Sequence, residues 1–405
     1  MARVVIAGGG ISGVLCAREL RLAGFEVTLL EARHIGAGSS SRTAAGIRQQ
    51  FSTPGTVRGM RYAVRYFREF ASETEDGRSP IVQNGYLFLY DTDESWAAAN
   101  ARVVMQRGAG LVEVEALAAD ELVRRFPWVD GAKVRGGTFC PTDGFLLPAV
   151  VYNEGARRAR ELGANIVQQA PIEGATHANG RLVAVNTPKG VFEGDLFLDC
   201  TNAWARRTAR LLGAEELPVD PLKRYLWFLP RAGGMTAPTL AAMPLVVAPN
   251  GVYCRPENAD TLLLGRAHVA TPEPAFTYED QDQIEPAYAH NTGFDSGAYG
   301  AWASVAEVLP PLGEFGGITA TTSGYYGSTP DHNPFLGFDR QVSNLVRLVG
   351  FSGHGAMFGP FTALVARALC EAGRDVPSVV VDGVDVPIDA FRVGRPFGRK
   401  EQMVL

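Results

Sequence analysis

The sequence lacks the features that usually mark proteins that bind nucleic acids, bind membranes or depend on disulfide bonds. Its five cysteines are scattered and form no C-x-x-C pair, so neither a disulfide framework nor a zinc cage is indicated. No block of lysine and arginine stands out against a net charge of -5, so nothing attracts a phosphate backbone or an anionic membrane surface. We therefore expect no nucleic-acid partner, no membrane partner and no bound metal.

Long apolar runs are missing as well. No run reaches the roughly 18 residues of a membrane-spanning helix. The first strand is expected so close to Met1 that a secretory leader has no room. The scattered cysteines fit a reducing compartment. These observations predict a cytoplasmic protein.

What the sequence does have is an ordinary globular composition. Hydrophobic residues make up 46% and charged residues 20% of the chain, a balance typical of a folded protein rather than a disordered or fibrous one. At about 150 residues per domain, the length allows roughly two to three domains and a sizeable core. We therefore interpret the whole chain as folded without disulfide or metal support.

The most specific local pattern is a strand, a glycine-rich turn, a helix and a second strand. Residues 3–7 are an apolar run rich in valine and isoleucine, residues 8–13 read Gly-Gly-Gly-Ile-Ser-Gly, and residues 11–23 repeat apolar side chains at helical spacing. Residues 25–30 predict a second strand, parallel to the first through the helical crossover. The chain thus opens with a βαβ unit that carries a G-x-G-x-x-G turn.

The glycines of that turn have distinct physical roles. Gly8 permits the tight turn, Gly10 lets the backbone approach a pyrophosphate, and Gly13 lets helix and strand pack closely. Glu31, about 20 residues further on, would accept a hydrogen bond from a ribose hydroxyl. An isolated motif of this kind is often only a turn, but its βαβ frame predicts dinucleotide binding. The motif leaves FAD and NAD open, because both contain ADP.

Later regions extend this organisation. Strand patterns within residues 81–90 and 224–266 are separated by turn residues and predict a second, largely antiparallel sheet. Residues 345–355 predict another strand and glycine-rich turn, and residues 360–372 a helix. The nucleotide-binding domain is therefore expected to be discontinuous. Residues 376–405 contain several prolines and glycines and are expected to lie on the surface.

Four further segments carry a family resemblance. They are Gly36-Ala37-Gly38-Ser39-Ser40-Ser41-Arg42, Ile47-Arg48, Thr329-Pro330-Asp331 and Gly350-Phe351-Ser352-Gly353-His354-Gly355. Together, and across nearly the entire chain, they resemble the D-amino-acid oxidase, glycine oxidase and sarcosine oxidase family of FAD-dependent oxidoreductases. The resemblance implies an α/β fold in which a discontinuous Rossmann-type FAD-binding domain is combined with an α+β substrate domain on a largely antiparallel sheet.

The resemblance also implies how the chain divides and where FAD lies. The FAD-binding domain is assigned residues 1–80, 140–215 and 320–375, the substrate domain residues 81–139 and 216–319, and the C-terminal tail residues 376–405. The implied cofactor-binding residues are Gly8, Gly10, Ile11, Ser12, Gly13, Glu31, Ala32, Arg33, Ser39, Ser40, Ser41, Arg42, Ala45, Gly46, Ile172, Thr201, Asn202, Trp204, Gly353, His354, Gly355, Ala356 and Met357.

The turn near the C-terminus has a physical rationale of its own. In the resembled family it lies against the pyrimidine end of the isoalloxazine. Negative charge develops there on reduction, and backbone N–H groups at a helix N-terminus would stabilise it. From the residues alone, the same segment could be an ordinary turn between a strand and a helix.

Three departures from the family pattern are informative. Relatives with covalent flavin have a cysteine shortly before the Thr-Pro-Asp, whereas this chain has none at residues 324–328, so FAD is expected to be noncovalent. Met357 stands where relatives tend to have a lysine. Asn202 replaces a glycine in the turn near the adenine, and that turn is expected to survive because asparagine tolerates left-handed geometry.

Three residues are candidates for catalysis. Arg48 resembles the arginine that meets a substrate carboxylate, a role that suits a bidentate guanidinium, although a structural arginine is the alternative. Tyr326, and less clearly Tyr325, matches the aromatic position that faces the flavin, with a core tyrosine as the alternative. His354 is a candidate base that could equally donate to a backbone or flavin group.

The resulting hypothesis is an enzyme that dehydrogenates a small amine or amino acid by hydride transfer from the α-carbon to flavin N5. The product is an imine and, with molecular oxygen as the acceptor, hydrogen peroxide. Glycine or an N-substituted glycine is favoured, because residues 41–48 and Tyr326 resemble that branch. The alternatives are a D-amino-acid or proline-type dehydrogenase with another electron acceptor, an NAD-dependent dehydrogenase, and a non-catalytic flavoprotein subunit.

Overall fold

A computed structural model describes residues 1–267, 280–398 and 400–403 of the chain. The helices in the described residues are α1 Ile11–Leu22, α2 Pro54–Phe70, α3 Asp93–Gly108, α4 Ala119–Arg125, α5 Pro148–Glu161, α6 Ala205–Leu212, α7 Ala237–Ala241, α8 Gly297–Ala306 and α9 Gly355–Ala372. None of these helices combines the length and the apolarity needed to cross a membrane.

The same residues contain a larger set of strands. They are β1 Arg3–Ala7, β2 Glu26–Leu30, β3 Gly46–Ile47, β4 Ile81–Val82, β5 Tyr86–Tyr90, β6 Glu115–Ala118, β7 Gly136–Cys140, β8 Gly144–Leu146, β9 Asn165–Val167, β10 Gly174–Ala178, β11 Arg181–Thr187, β12 Gly190–Glu193, β13 Leu196–Asp199, β14 Asp220–Pro230, β15 Leu245–Val247, β16 Val252–Asn258, β17 Thr261–Arg266, β18 Ala320–Ser328, β19 Phe335–Phe338, β20 Leu345–Val349, β21 Ser378–Val381 and β22 Val384–Pro387.

A six-stranded sheet forms the first domain, in the order β19, β20, β13, β1, β2, β9. All neighbours are parallel except β19 and β20. Alternate side chains of β1 enter different cores, with Val4 and Ile6 on the side of α1 and α9 and Val5 on the side of α6. Both faces of the sheet are therefore buried, which explains the continuous apolar run of β1. The predicted parallel βαβ unit is confirmed.

The second large sheet has eight strands, in the order β18, β14, β17, β16, β15, β5, β7, β6. All of its pairings are antiparallel except that of β15 with β5. The longest ladder joins β14 to β18, from Asp220 opposite Ser328 to Phe228 opposite Ala320. Both strands of this ladder contact the turn at residues 202–204, which follows β13 of the six-stranded sheet, so the ladder brings Tyr326 close to that sheet. The predicted α/β class with a largely antiparallel second sheet is confirmed.

Two element boundaries differ from the sequence predictions. The helix predicted over residues 360–372 begins at Gly355, so Pro360 lies inside it rather than at its start. A proline is favoured in the first helical turn, and this preference gave the wrong start. The strand predicted over residues 81–90 is two strands, because Gly85 adopts a φ of 90° between them.

The described part of the C-terminal tail is only partly on the surface, whereas the sequence predicts a surface segment. The hairpin of β21 and β22 contacts α2, and Val379, Val386 and Phe391 belong to the main hydrophobic core. Met403 is also buried in that core. Composition alone does not show this, because several prolines and glycines are compatible with either a surface path or a buried irregular one.

Candidate active site

A cavity of about 470 Å3 opens at the carboxyl ends of β1, β2 and β13 and reaches the N-terminus of α9. Its volume lies within the range of about 300–1,000 Å3 that is usual for small-molecule sites. Most predicted cofactor residues line it, namely Gly8, Gly10, Ile11, Ser12, Glu31, Ala32, Arg33, Ser39, Ser40, Arg42, Ile172, Thr201, Asn202, Trp204, Gly353, Gly355 and Ala356. The structure thus gathers residues from five separate parts of the chain.

At two positions in and just after the glycine-rich turn that follows β1, a side chain would clash with the backbone. Gly8 has a φ of 104°, and a Cβ there would lie 2.9 Å from the Cys200 carbonyl oxygen. A Cβ on Gly13 would lie 1.9 Å from the Gly8 carbonyl oxygen. Gly13 does not line the cavity. Because it has no side chain, α1 can pack closely against the turn that does line the cavity.

Glu31 is held at the end of β2 by backbone donors. Its Oε2 accepts from Gly9 N at 2.7 Å, and its Oε1 accepts from Arg33 N at 2.8 Å. A carboxylate has about four lone-pair sites, so both oxygens keep acceptor capacity toward the cavity. Glu31 can therefore bind a hydroxyl of a bound nucleotide without losing its own support.

The segment after β2 is tied down on both sides of the cavity. Ser40 Oγ accepts from Ile11 N at 3.0 Å, and Ser39 Oγ donates to the Tyr325 carbonyl at 2.6 Å. Ser41 points away, because it is exposed and its hydroxyl donates to the Gly38 carbonyl. Of the predicted cofactor residues at positions 39–42, Ser41 is thus the one that the structure leaves outside the cavity.

Asn202 adopts the left-handed conformation that the sequence predicts, with a φ of 48°. Its side chain does more than a glycine could. Asn202 Oδ1 accepts from Gly350 N at 3.1 Å and from Phe351 N at 3.2 Å. The turn after β13 and the glycine-rich turn after β20 are therefore fixed to each other.

The N-terminus of α9 faces the far end of the cavity. Ser352 and Gly353 have positive φ values of 49° and 92°, and they turn the chain from β20 into the helix. None of the described side chains caps this helix, so the N–H groups of its first turn are available to a ligand. Partial positive charge at this end suits an electron-rich group of a cofactor.

A small chamber adjoins the main cavity and shares Thr43, Tyr326, Gly353 and Ala356 with it. Its volume is about 40 Å3. Since one water needs about 10–15 Å3 of such space, the chamber holds roughly three water-sized groups. The remaining lining residues include Ala45, Gly46, Arg48, Tyr86, Leu245, Tyr253, His354 and Met357. The three predicted catalytic residues therefore meet at one chamber.

Arg48 is buried in this chamber, and none of the described carboxylates is in contact with its guanidinium. Its side chain is 1% exposed and lies over the Phe51 ring at 4.2 Å. Nη2 donates to the Met403 carbonyl and lies 3.2 Å from His354 Nε2. Nε and Nη1 have no hydrogen-bond partner among the described residues, and no carboxylate there lies within 4.0 Å. A buried guanidinium in this state is a site for an anionic group of a ligand.

The other titratable groups of the chamber are poor bases at neutral pH. An arginine has only donors, so His354 Nε2 must be the acceptor and the ring proton must lie on Nδ1. Burial, and next the charge of Arg48, hold the pKa of His354 well below its usual value. Burial raises the pKa of Tyr86 to about 12 and also raises that of Tyr253.

A buried carboxylate lies in the loop behind Arg48, and the sequence gave no signal for it. Asp143 is fully buried and accepts from Gln49 N at 2.9 Å, Gln49 Nε2 at 2.8 Å and Gln50 Nε2 at 3.2 Å. Burial raises the pKa of Asp143 to about 6, although the hydrogen bonds from Gln49 and Gln50 act against this shift. Asp143 thereby fixes the two residues that follow Arg48.

Other lining residues were also missed or underrated. Cys200 and Gln281 line the main cavity, and Leu245 lines the chamber. Tyr253 also lies in the chamber wall. Gln281 belongs to an irregular segment, and no local pattern marks such a residue.

Comparisons with known proteins agree with this geometry. The model of the family described as FAD dependent oxidoreductase matches residues 3–369. The chain is 27% identical to FAD-dependent oxidoreductase domain-containing protein 1 of Bos taurus, over 98% of this chain and 86% of that protein. It is 25% identical to glycine oxidase of Pseudomonas aeruginosa, over 92% and 95% of the two chains. The crystal structure of L-proline dehydrogenase from P. horikoshii superimposes with a TM-score of 0.80 at 27% identity, covering 96% of both chains.

Proposed function

The chain belongs to the FAD dependent oxidoreductase family, and from this premise we propose that it dehydrogenates a small amino acid whose carboxylate pairs with Arg48. Membership confirms the family resemblance and FAD as the cofactor, both of which the sequence predicted. The substrate, the electron acceptor and the roles of individual residues are the substance of the proposal.

The residues present fit FAD along the whole cavity. Glu31 would hold a ribose hydroxyl, and the glycine turn at α1 would receive the pyrophosphate. The uncapped N-terminus of α9 would face the electron-rich end of the isoalloxazine. When bound, FAD supplies the two-electron acceptor for oxidation of a carbon–nitrogen bond. Because residues 324–328 contain no cysteine, we propose that the cofactor is noncovalent.

Arg48 carries the proposal for the substrate. Its Nε and Nη1 are donors on different edges of the planar guanidinium, and both lack a partner among the described residues. A carboxylate can accept a charge-assisted hydrogen bond from either of them. Bound in this way, the substrate would place its α-carbon in the chamber beside the wall shared with the cofactor cavity.

Proton handling follows from the weak bases of the chamber. His354 Nε2 is engaged by Arg48, and the pKa of His354 is too low for it to take a proton from an ammonium group. We therefore propose that the amine reacts in its neutral form. The substrate then loses one α-hydrogen, one amine hydrogen and an electron pair, and leaves as an imine that water hydrolyses.

The size of the chamber supports a small substrate. A volume of about 40 Å3 leaves no room for a bulky side chain, which favours glycine or an N-substituted glycine over larger amino acids. The similarity to a glycine oxidase over 92% of the chain supports the same class. With molecular oxygen as acceptor, the reduced cofactor would yield hydrogen peroxide.

A second candidate is a proline-type dehydrogenase that uses an acceptor other than oxygen. It is supported by the similarity to an L-proline dehydrogenase at a TM-score of 0.80. The apolar and aromatic wall of Leu245, Tyr86 and Tyr253 would also suit a ring of methylene groups.

One set of measurements tests both candidates. The purified protein is examined for flavin absorbance before and after acid precipitation, and then titrated without oxygen with glycine, sarcosine, proline and D-amino acids. Noncovalent FAD stays in the supernatant, and the substrate bleaches the flavin bands. Turnover with oxygen and with an artificial dye then separates oxidase from dehydrogenase. If no member of the panel bleaches the flavin, the proposed activity is wrong and a non-catalytic flavoprotein is favoured.

A further inference from the structure

The last described residues of the chain run beside the substrate chamber. Residues 400–403, here called the 400–403 segment, include Glu401 and Met403, which are 2% and 8% exposed. The Met403 carbonyl accepts a hydrogen bond from Arg48 Nη2. The C-terminal tail therefore contacts the group that we propose binds the substrate.

The 400–403 segment is fastened at two neighbouring points. Glu401 Oε1 accepts from Ser52 N and from Met403 N, at 3.0 Å each. Gln402 N donates to Ser52 Oγ at 3.2 Å. Ser52 follows Arg48 by four residues, so the clamp joins the segment to the loop that carries the arginine.

A second anchor ties the tail to the Thr-Pro-Asp turn. Glu401 N donates to the Asp331 carbonyl at 3.0 Å. Arg395 binds the Asp331 carboxylate with Nε at 2.7 Å and Nη2 at 2.8 Å, and both side chains are buried. The position of the Met403 carbonyl is therefore fixed by the core rather than by the end of a loose chain.

From these contacts we propose that the 400–403 segment positions Arg48 for the substrate carboxylate, an inference that rests on the proposed function of Arg48. A long arginine side chain has many rotamers, and fixing one of them in advance lowers the cost of binding. The chemical type of the group that accepts the hydrogen bond from Arg48 also matters. A carbonyl orients the guanidinium through a dipole but leaves its net charge unmatched, whereas a carboxylate there would compete with the substrate.

This arrangement makes Met403 and Glu401 positioning residues. Neither needs to touch the substrate, because Met403 acts through Arg48 and Glu401 acts through Met403. In this chain Met357 stands where a cationic side chain is expected from the family resemblance. The orientation of the single arginine therefore carries more of the carboxylate recognition.

The test uses full-length holoprotein and acetate as the probe, with its dissociation constant read from the change in the flavin spectrum. Glu401→Ala removes the clamp, and Glu401→Gln keeps an oxygen that can accept from both amides. Gln402→Ala is the matched control, because the contact of Gln402 with Ser52 is made by its backbone. A chain that ends before residue 400 is a second disruption in case Glu401→Ala does not fold, and FAD content reports on folding throughout.

We expect Glu401→Ala and the shortened chain to raise the acetate dissociation constant and the KM of the amino-acid substrate roughly three- to tenfold, with kcat largely kept. Glu401→Gln and Gln402→Ala should bind acetate as the unmodified protein does. Unchanged acetate binding in both disrupted proteins overturns the positioning role while leaving Arg48 in place. If the unmodified protein does not bind acetate, or Arg48→Met binds it equally well, the proposed function of Arg48 fails, and this inference fails with it.

Discussion

Replacing Arg48 with methionine separates recognition of the carboxylate from the rest of the reaction. Methionine fills a similar length with an apolar chain, so the Phe51 ring keeps a neighbour while the guanidinium donors are lost. The change also removes a buried charge that makes no ion pair within 4.0 Å among the described residues. Its loss should therefore affect binding of an anionic substrate more than folding.

The expected magnitude follows from the two unpaired donors. A hydrogen bond to a charged group contributes about 1.5–3 kcal/mol, and one carboxylate can accept from only one of these two donors at a time. At about 1.4 kcal/mol per tenfold change, kcat/KM falls by about 10–10². The Met403 carbonyl loses its donor, which costs about 1–3 kcal/mol of folding free energy. Removal of the buried charge offsets that cost.

The assay compares each amino acid with the amine that lacks its carboxylate, for example glycine with methylamine, in the unmodified protein and in Arg48→Met. The unmodified protein should prefer the carboxylate-bearing substrate, and the variant should lose that preference. Arg48→Lys, which keeps the charge but not the planar edge, should fall between the two. An equal loss of kcat/KM for both members of a pair would refute the reasoning, because it would make Arg48 a structural residue.

Three further predictions concern acid–base behaviour and the cofactor cradle. Because the pKa of His354 is held well below its usual value, the ring stays neutral at any pH above the ordinary histidine pKa of about 6.5. In that range log kcat/KM should rise with unit slope until the substrate ammonium has lost its proton. An inflection of the kcat/KM profile in that range that disappears in His354→Gln would contradict a neutral His354. Asn202→Gly keeps the left-handed turn but loses two accepted hydrogen bonds, and should lower the free energy of unfolding by about 1–3 kcal/mol in urea titrations. Asn202→Ala should lower the free energy of unfolding by about 1–2 kcal/mol more, because alanine is strained in the left-handed conformation. Equal stability of the two variants would show that this strain does not contribute. Gly13→Ala places a methyl 1.9 Å from the Gly8 carbonyl oxygen, and the purified protein should carry little FAD per chain. A variant with a full complement of flavin would show that the turn can relax.

The sequence was most informative where structure is set by neighbours along the chain. The βαβ unit, the glycine turn and the left-handed Asn202 all follow from local geometry, and each has the predicted form. The start of α9 was misplaced because proline preference is a statistical signal, and here the turn at Gly353 sets the boundary.

What the sequence could not supply depends on contacts between distant segments. The burial of the tail, the Met403 contact and the carboxylate of Asp143 behind Arg48 each join residues that are more than 90 positions apart. Arg48 itself was predicted through its resemblance to an arginine of relatives. That two of its donors lack partners in the described part of the chain is a property of the assembled core, and no spacing in the chain encodes it.

The wall shared by the chamber and the cofactor cavity has a consequence for flavin retention. Thr43, Tyr326, Gly353 and Ala356 border both spaces, so a ligand in the chamber would lie directly against the proposed cofactor site. Binding there favours the cofactor-loaded form by mass action. A small carboxylate should therefore slow the escape of FAD from the protein, and the rate at which flavin fluorescence appears in the surrounding solution would report how full the chamber is.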